Sequence, residues 1–242
     1  MKKGLYLTDS VDSYKVSHVP HLLKDVLEVF YYLEYNLLFD KSYIRLYSNI
    51  EHNLEYSKLT SNQTYLPAYY HKRLVNVIKH IHPSGHCQID LRLEKIFPDV
   101  KMQEYHNRNT RFQELKPNAE PYLDDKLITH PSHCWHFDSK NPENSYPFIL
   151  YLSDVSEVGG GTCISDPAIR PIENLSNVDG VGISEEDINV DEIKYKNITG
   201  PAGTLISFNS YTLHRAGVPL DKPRMAMIFN FIPKEKPTIY SK

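Results

Sequence analysis

The sequence predicts a mainly β protein flanked by helices in its first third. Three observations carry that reading. From Lys126 onward, short apolar runs at 134–138, 147–152, 163–164, 203–208 and 224–232 are separated by turn residues, the pattern of strands in a sandwich or barrel. Earlier, 21–38 and 67–81 instead place their apolar residues at helical spacing. Residues suited to binding a metal stand far apart, at His136 and Asp138 and again at His214, so the sheet has to curl back on itself to unite them. A jelly roll does that.

With 242 residues, the chain suffices for one large β domain or two small ones. We expect a single domain over 1–242. Residues 1–125 would form a helical and mixed part packed on the barrel, and 126–232 the core, interrupted by an insertion at 165–203. A net charge of -3 gives no reason to expect a nucleic-acid partner, and the acidic run SEEDINVD at 184–191 points the same way. Three scattered cysteines, Cys87, Cys134 and Cys163, are not a disulfide framework, which suits a reducing, cytoplasmic compartment. The opening MKKGLYLTDS lacks the apolar core of a secretion signal, and no apolar run is long enough to span a bilayer, so no membrane partner is expected.

Taken in order, residues 1–20 are polar and end at Pro20. Leu22, Leu23, Val26, Leu27, Phe30, Leu33 and Leu37 then mark one face of an amphipathic helix. Residues 41–66 read as loops with short strands. Tyr70, Leu74, Val77 and Ile78 mark a second helix, with Pro83 and Gly85 after its end. His71, His80, His82 and His86 fall in or near it and read as surface or capping histidines. A strand is expected at 88–93 and another at 101–105, followed by a long polar connection over 106–126. Gly159-Gly160-Gly161-Thr162 reads as a tight turn.

The chemistry centres on CWHFDSK. In an extended segment, His136 and Asp138 leave one face and Trp135 and Phe137 the other. Two histidines and a carboxylate form a facial triad with open metal positions, the ligand set of non-haem Fe(II) oxygenases. Twelve histidines make chance matches easy, so two other readings stay open: a zinc site of His133, Cys134 and His136, or histidines that are simply buried and hydrogen-bonded. Context favours the triad. Arg224 opens the last strand, sharing a face with Ala226, Ile228 and Asn230, while Met225, Met227, Phe229 and Phe231 take the other face and suit packing under helices. A guanidinium in a cavity wants a planar anion, which it holds bidentately. Arg215 directly follows His214 and should face away. On 147–152, Tyr151 shares a face with Ile149 and Ser153, where its phenol can reach the same anion as Arg224.

The order H-x-D, YLSD, GGGT, GTLISF, His214 and Arg224 resembles the Fe(II)/2-oxoglutarate-dependent dioxygenases, especially the prolyl-4-hydroxylase-like branch. The resemblance covers roughly 126–232 and implies a double-stranded β-helix, the jelly roll also found in cupins. It makes His136, Asp138 and His214 the iron ligands and Arg224 the partner of the distal carboxylate of 2-oxoglutarate, with Tyr151 assisting. O2 would be the co-reactant, and an unidentified small-molecule or amino-acid-type substrate would be hydroxylated with release of succinate and CO2. Asp138 tells against the halogenating relatives, which lack that carboxylate. Two departures concern substrate entry. The segment between Tyr105 and His136 is longer than in this branch, and 165–203 is long enough to act as a lid. The alternative is a cupin-like metal-binding protein or metalloenzyme that does not use 2-oxoglutarate; a non-catalytic binding module is a third reading.

Overall fold

The computed structural model describes residues 5–7, 14–36, 43–51, 58–59, 67–81, 86–96, 135–137, 146–166, 169–171, 193–209 and 212–233. Among the described residues, two α-helices lie in the first third. Pro20, whose fixed φ and missing N–H suit the start of a helix, opens a short 3-10 turn, Pro20–Leu22, that runs into α1, Leu23–Tyr35. The second helix, α2, spans Ala68–Ile81, and its first turn is closed by the His71 amide donating to the Pro67 carbonyl at 3.0 Å. On the outer side, Arg73 bridges Asp25 and Glu28, tying α2 to α1.

The strands are β1 (Leu5–Leu7), β2 (Tyr14–His18), β3 (Tyr43–Glu51), β4 (Lys58–Leu59), β5 (His86–Ile96), β6 (Tyr146–Tyr151), β7 (Thr162–Ser165), β8 (Ile169–Pro171), β9 (Tyr195–Ile198), β10 (Thr204–Phe208), β11 (His214–Ala216) and β12 (Arg224–Pro233). Seven form one sheet in the order β2-β10-β6-β12-β5-β3-β4, and three form a second, β11-β7-β9; β1 pairs with β8. Every pairing is antiparallel.

Alternation along the strands builds two apolar layers, one on each side of the seven-stranded sheet. Leu150, Leu152, Leu205, Met227 and Phe229 face the helices, where Leu22, Val26, Phe30, Leu33, Leu74, Val77 and Ile78 cover them. The opposite face carries Ile149, Tyr151, Ile206, Phe208 and Ala226, packed against Ile164 and Ile198 of the three-stranded sheet. The expected division of β12 is what the structure shows: Met225, Met227 and Phe229 lie under the helices, and Ala226 lies between the sheets. A smaller cluster of Trp135, Phe137, Cys163, Ile193 and Leu213 lies on the far side of the three-stranded sheet.

Several differences from the sequence reading have one cause. Residues 1–125 do more than pack on a barrel, because β2, β3, β4 and β5 are strands of the main sheet. The 43–51 stretch, read as mostly loop, is a nine-residue strand held by β5. Part of 165–203, read as an insertion, contributes β9, which pairs with β7 over Thr162–Ser165. These strands are set by partners distant in sequence, and the edge strand β2 is short and largely exposed, with only Tyr14 and Val16 alternating with Lys15 and Ser17. His71, read as a surface histidine, is buried on α2, and that burial pulls its pKa below the ordinary histidine value. The expected strand at 101–105, the acidic run at 184–191 and the connection at 106–126 lie outside the described residues. Among the described residues no helix is long and apolar enough to cross a membrane.

Phe229 is fully buried between the sheet and the helices, stacked on Phe148 with ring centroids 5.8 Å apart. Phe229→Ala is expected to cost about 3–5 kcal/mol, read as a lower denaturant midpoint at unchanged slope.

Candidate metal centre between the sheets

His136 and His214 face each other across an antiparallel bridge. The His136 amide donates to the His214 carbonyl at 3.0 Å, and the His214 amide to the His136 carbonyl at 3.1 Å. Residues that exchange both hydrogen bonds present their side chains on the same face. The imidazole centroids accordingly lie 4.3 Å apart, at an angle of 51°. Both side chains are buried.

His214 is also oriented by its own strand. Its Nδ1 lies 2.8 Å from the Thr212 carbonyl. A carbonyl only accepts, so Nδ1 carries a proton, and in the neutral ring the lone pair then lies on Nε2. A histidine that ligates metal uses the same device. The edge of Phe208 packs on the ring at 4.5 Å, which further restricts it. Two buried imidazoles on one face, one with a fixed tautomer, form a donor pair that fits a divalent transition metal. Asp138 lies outside the described residues, as do His133 and Cys134 of the rival zinc reading. Among the described residues no group of three or more metal-ligating side chains occurs.

The reverse face of the same bridge is braced. Arg215 faces away from the imidazoles, as expected, with its guanidinium 4.6 Å over the Trp135 ring and 5.5 Å over Tyr195. Trp135 packs edge-on against Tyr195 at 5.4 Å. Burial pushes the neighbouring Cys163 thiol up in pKa, against the opposing effect of Arg215.

Arg224 and Tyr151 sit further along the same inter-sheet space. His214 pairs with Ile164 on β7, and Thr162 lies two residues along that strand, about 7 Å away. The Thr162 amide donates to the Tyr151 phenol oxygen at 2.8 Å, and that phenol donates to the Ile198 carbonyl at 2.8 Å. Arg224 is almost fully buried and donates from Nη1 to the Gly160 carbonyl at 2.6 Å. Sequence reasoning placed both residues facing the cavity. It did not anticipate that the Tyr151 hydroxyl ties β6 to both β7 and β9.

The motif residues around them act as braces. The Ser153 hydroxyl accepts from the Met225 amide at 3.0 Å, fixing the start of β12 beside Arg224. Asp154 accepts from the Ala202 amide at 2.9 Å. Gly160 has φ of 73°, and a Cβ there would lie 2.6 Å from the Pro219 nitrogen, so the turn that presents its carbonyl to Arg224 requires glycine.

No protein-family model matches the chain, and no curated protein matches it in sequence. Solved structures do match in fold. The chain is similar to SnoK, a non-heme alpha ketoglutarate dependent carbocyclase, at 11% identity and TM-score 0.51, covering 91% of this chain and 80% of that one. It is similar to the epimerase SnoN in complex with Fe3+, alpha ketoglutarate and nogalamycin RO, at 14% identity and TM-score 0.50, covering 92% and 79%. AviO1 from Streptomyces viridochromogenes Tue57 matches at 11% identity and TM-score 0.50, covering 93% and 92%. At these identities the likeness is one of fold.

Two outcomes are expected. Tyr151→Phe leaves the Thr162 amide and the Ile198 carbonyl without their buried partner and should cost about 1–3 kcal/mol. Burial raises the Tyr151 pKa, with Arg224 opposing, so the neutral phenol is favoured in the folded state. Its contribution is therefore full below the unfolded tyrosine pKa of about 10 and is lost as pH rises through the higher folded value. Unfolding curves should converge for wild type and variant in that alkaline range. Separately, Arg215→Ala should destabilise by roughly 1–2 kcal/mol and shift the emission of Trp135, the chain's single tryptophan, read by fluorescence during denaturation.

Proposed function

We propose that this chain is an Fe(II)- and 2-oxoglutarate-dependent oxygenase acting on a C–H bond of a small-molecule or amino-acid-type substrate. The observation that carries the reading is the His136–His214 bridge, which sets two buried imidazoles side by side in the inter-sheet space that also holds Arg224. The fold shared with SnoN and SnoK supports it.

In this reading His136, Asp138 and His214 hold the iron and leave coordination positions open. When bound, iron and 2-oxoglutarate supply O2 activation coupled to oxidative decarboxylation, which yields succinate and CO2. The chain's own residues do the rest. The Thr212 carbonyl holds the proton of His214 on Nδ1 and keeps Nε2 for the metal. Arg224, positioned by Gly160 and by the Ser153-anchored start of β12, takes the distal carboxylate of 2-oxoglutarate. Ile149, Ile164, Ile206, Phe208 and Ala226 keep the space apolar, which strengthens those charge interactions. Tyr151 acts on Arg224 through the frame it ties together rather than as a second cosubstrate ligand.

The two facing sheets are read as a double-stranded β-helix, and the motif order supports the prolyl-4-hydroxylase-like branch. Hydroxylation is the proposed outcome because Asp138 completes the carboxylate-containing ligand set. One observation favours a second reading, a cupin-like metalloprotein that does not use 2-oxoglutarate: the Tyr151 hydroxyl and the Arg224 guanidinium both engage the protein itself.

Anaerobic titration with Fe(II), with and without 2-oxoglutarate, separates the two. A weak visible charge-transfer band that needs both ligands is expected. Asp138→Ala should abolish the band. Arg224→Lys, which keeps a cation at the site, should weaken 2-oxoglutarate binding by about 30-fold or more, roughly 2 kcal/mol, because it loses the bidentate fork. Iron binding without the band would favour the cupin-like reading, and absence of metal binding would remove both.

A further inference from the structure

His21 and His80 take no part in the space between the sheets. His21 lies in the 3-10 turn ahead of α1 and His80 in the last turn of α2, both on the helical side of the main sheet. Both side chains are exposed. Their Nε2 atoms nevertheless converge to 3.1 Å, with ring centroids 4.6 Å apart and planes at 71°.

We propose that this pair is a binding site for a borderline divalent cation of the Zn2+, Cu2+ or Ni2+ class, which clips the start of α1 to the end of α2. Without an ion, the contact requires one ring to donate from Nε2 and the other to accept there. An ion takes both lone pairs and removes that requirement. The spacing suits it. With metal–nitrogen bonds of about 2.0–2.1 Å, two nitrogens on one ion lie about 2.9 Å apart at a right angle and about 3.3 Å apart at the tetrahedral angle. The observed 3.1 Å falls between these values.

The backbones carrying the rings are held in place by burial. Leu22, next to His21, and Ile78, two residues before His80, belong to the same apolar layer. The exposed rings leave the remaining coordination positions to water. The C-terminal end of α2 favours a cation and the N-terminal end of α1 opposes one, each by about 0.3–1 kcal/mol, so the helix ends roughly cancel and the donor pair decides. Two imidazoles select against hard cations such as Mg2+, which take oxygen ligands. An ion held by both helices stabilises the folded state in proportion to its occupancy.

The test is calorimetric titration with Zn2+ of a His136→Gln background, which disables the inter-sheet pair. One equivalent of Zn2+ should bind there, and Mg2+ should not. Adding His21→Ala or His80→Gln should weaken that binding at least about tenfold. In the otherwise wild-type protein, the same two substitutions should leave Fe(II) binding at the His136–His214 pair unchanged. Zn2+ binding that survives both substitutions, or equal binding of Mg2+, would overturn the proposal. Neither result bears on the oxygenase reading, which rests on His136, Asp138 and His214.

Discussion

Two backbone hydrogen bonds between His136 and His214 govern the arrangement of the site. They join a short segment to a strand far along the chain in a register that sets two imidazoles on one face. Because side chains alternate, the same register places Trp135 and Arg215 on the other face, where they stack. A slip of one residue would exchange the faces, turning Trp135 toward the cavity and a histidine toward the small apolar cluster. The stack on one side and the imidazole pair on the other therefore specify the same register.

The rest of the inter-sheet space is organised by polar ties inside an apolar layer. The Tyr151 phenol links three strands, and the Ser153 hydroxyl and the Gly160 carbonyl hold the start of β12. A buried guanidinium is costly unless hydrogen-bonded, and the glycine-rich turn supplies an acceptor at 2.6 Å. The same turn needs glycine for its positive φ and its close approach to Pro219. YLSD and GGGT are thus parts of the scaffold that aims Arg224, whatever anion it meets. The helical layer on the other side contributes packing, through Met227 and Phe229 beneath α1 and α2.

Much of this was legible from residue patterns. The periodicity of 21–38 and 67–81 marks the helices observed at Leu23–Tyr35 and Ala68–Ile81. Alternation in 147–152 and 224–232 separates the helix-facing Leu150, Met227 and Phe229 from the inward Tyr151 and Ala226. The orientation of Arg215 away from His214 also follows from alternation alone. The strands β2 and β9 were not legible and β3 only in part, as short strands among loops, because their partners β10, β7 and β5 lie far away along the chain. His71 was misread for a related reason: its burial depends on what packs over α2.

The sequence by itself determined which residue types face which way within each strand and helix, since the periods of two and 3.6 are properties of the local backbone. It also supplied His136, Asp138, His214, Arg224 and Tyr151 as the candidate site residues. Only the tertiary structure decided that His136 pairs with His214, that Thr212 fixes the tautomer of His214, and that Tyr151 is engaged by Thr162 and Ile198. Those contacts join segments or depend on the path of a turn. No local period encodes such distances, which follow from how the two sheets close over a shared apolar layer.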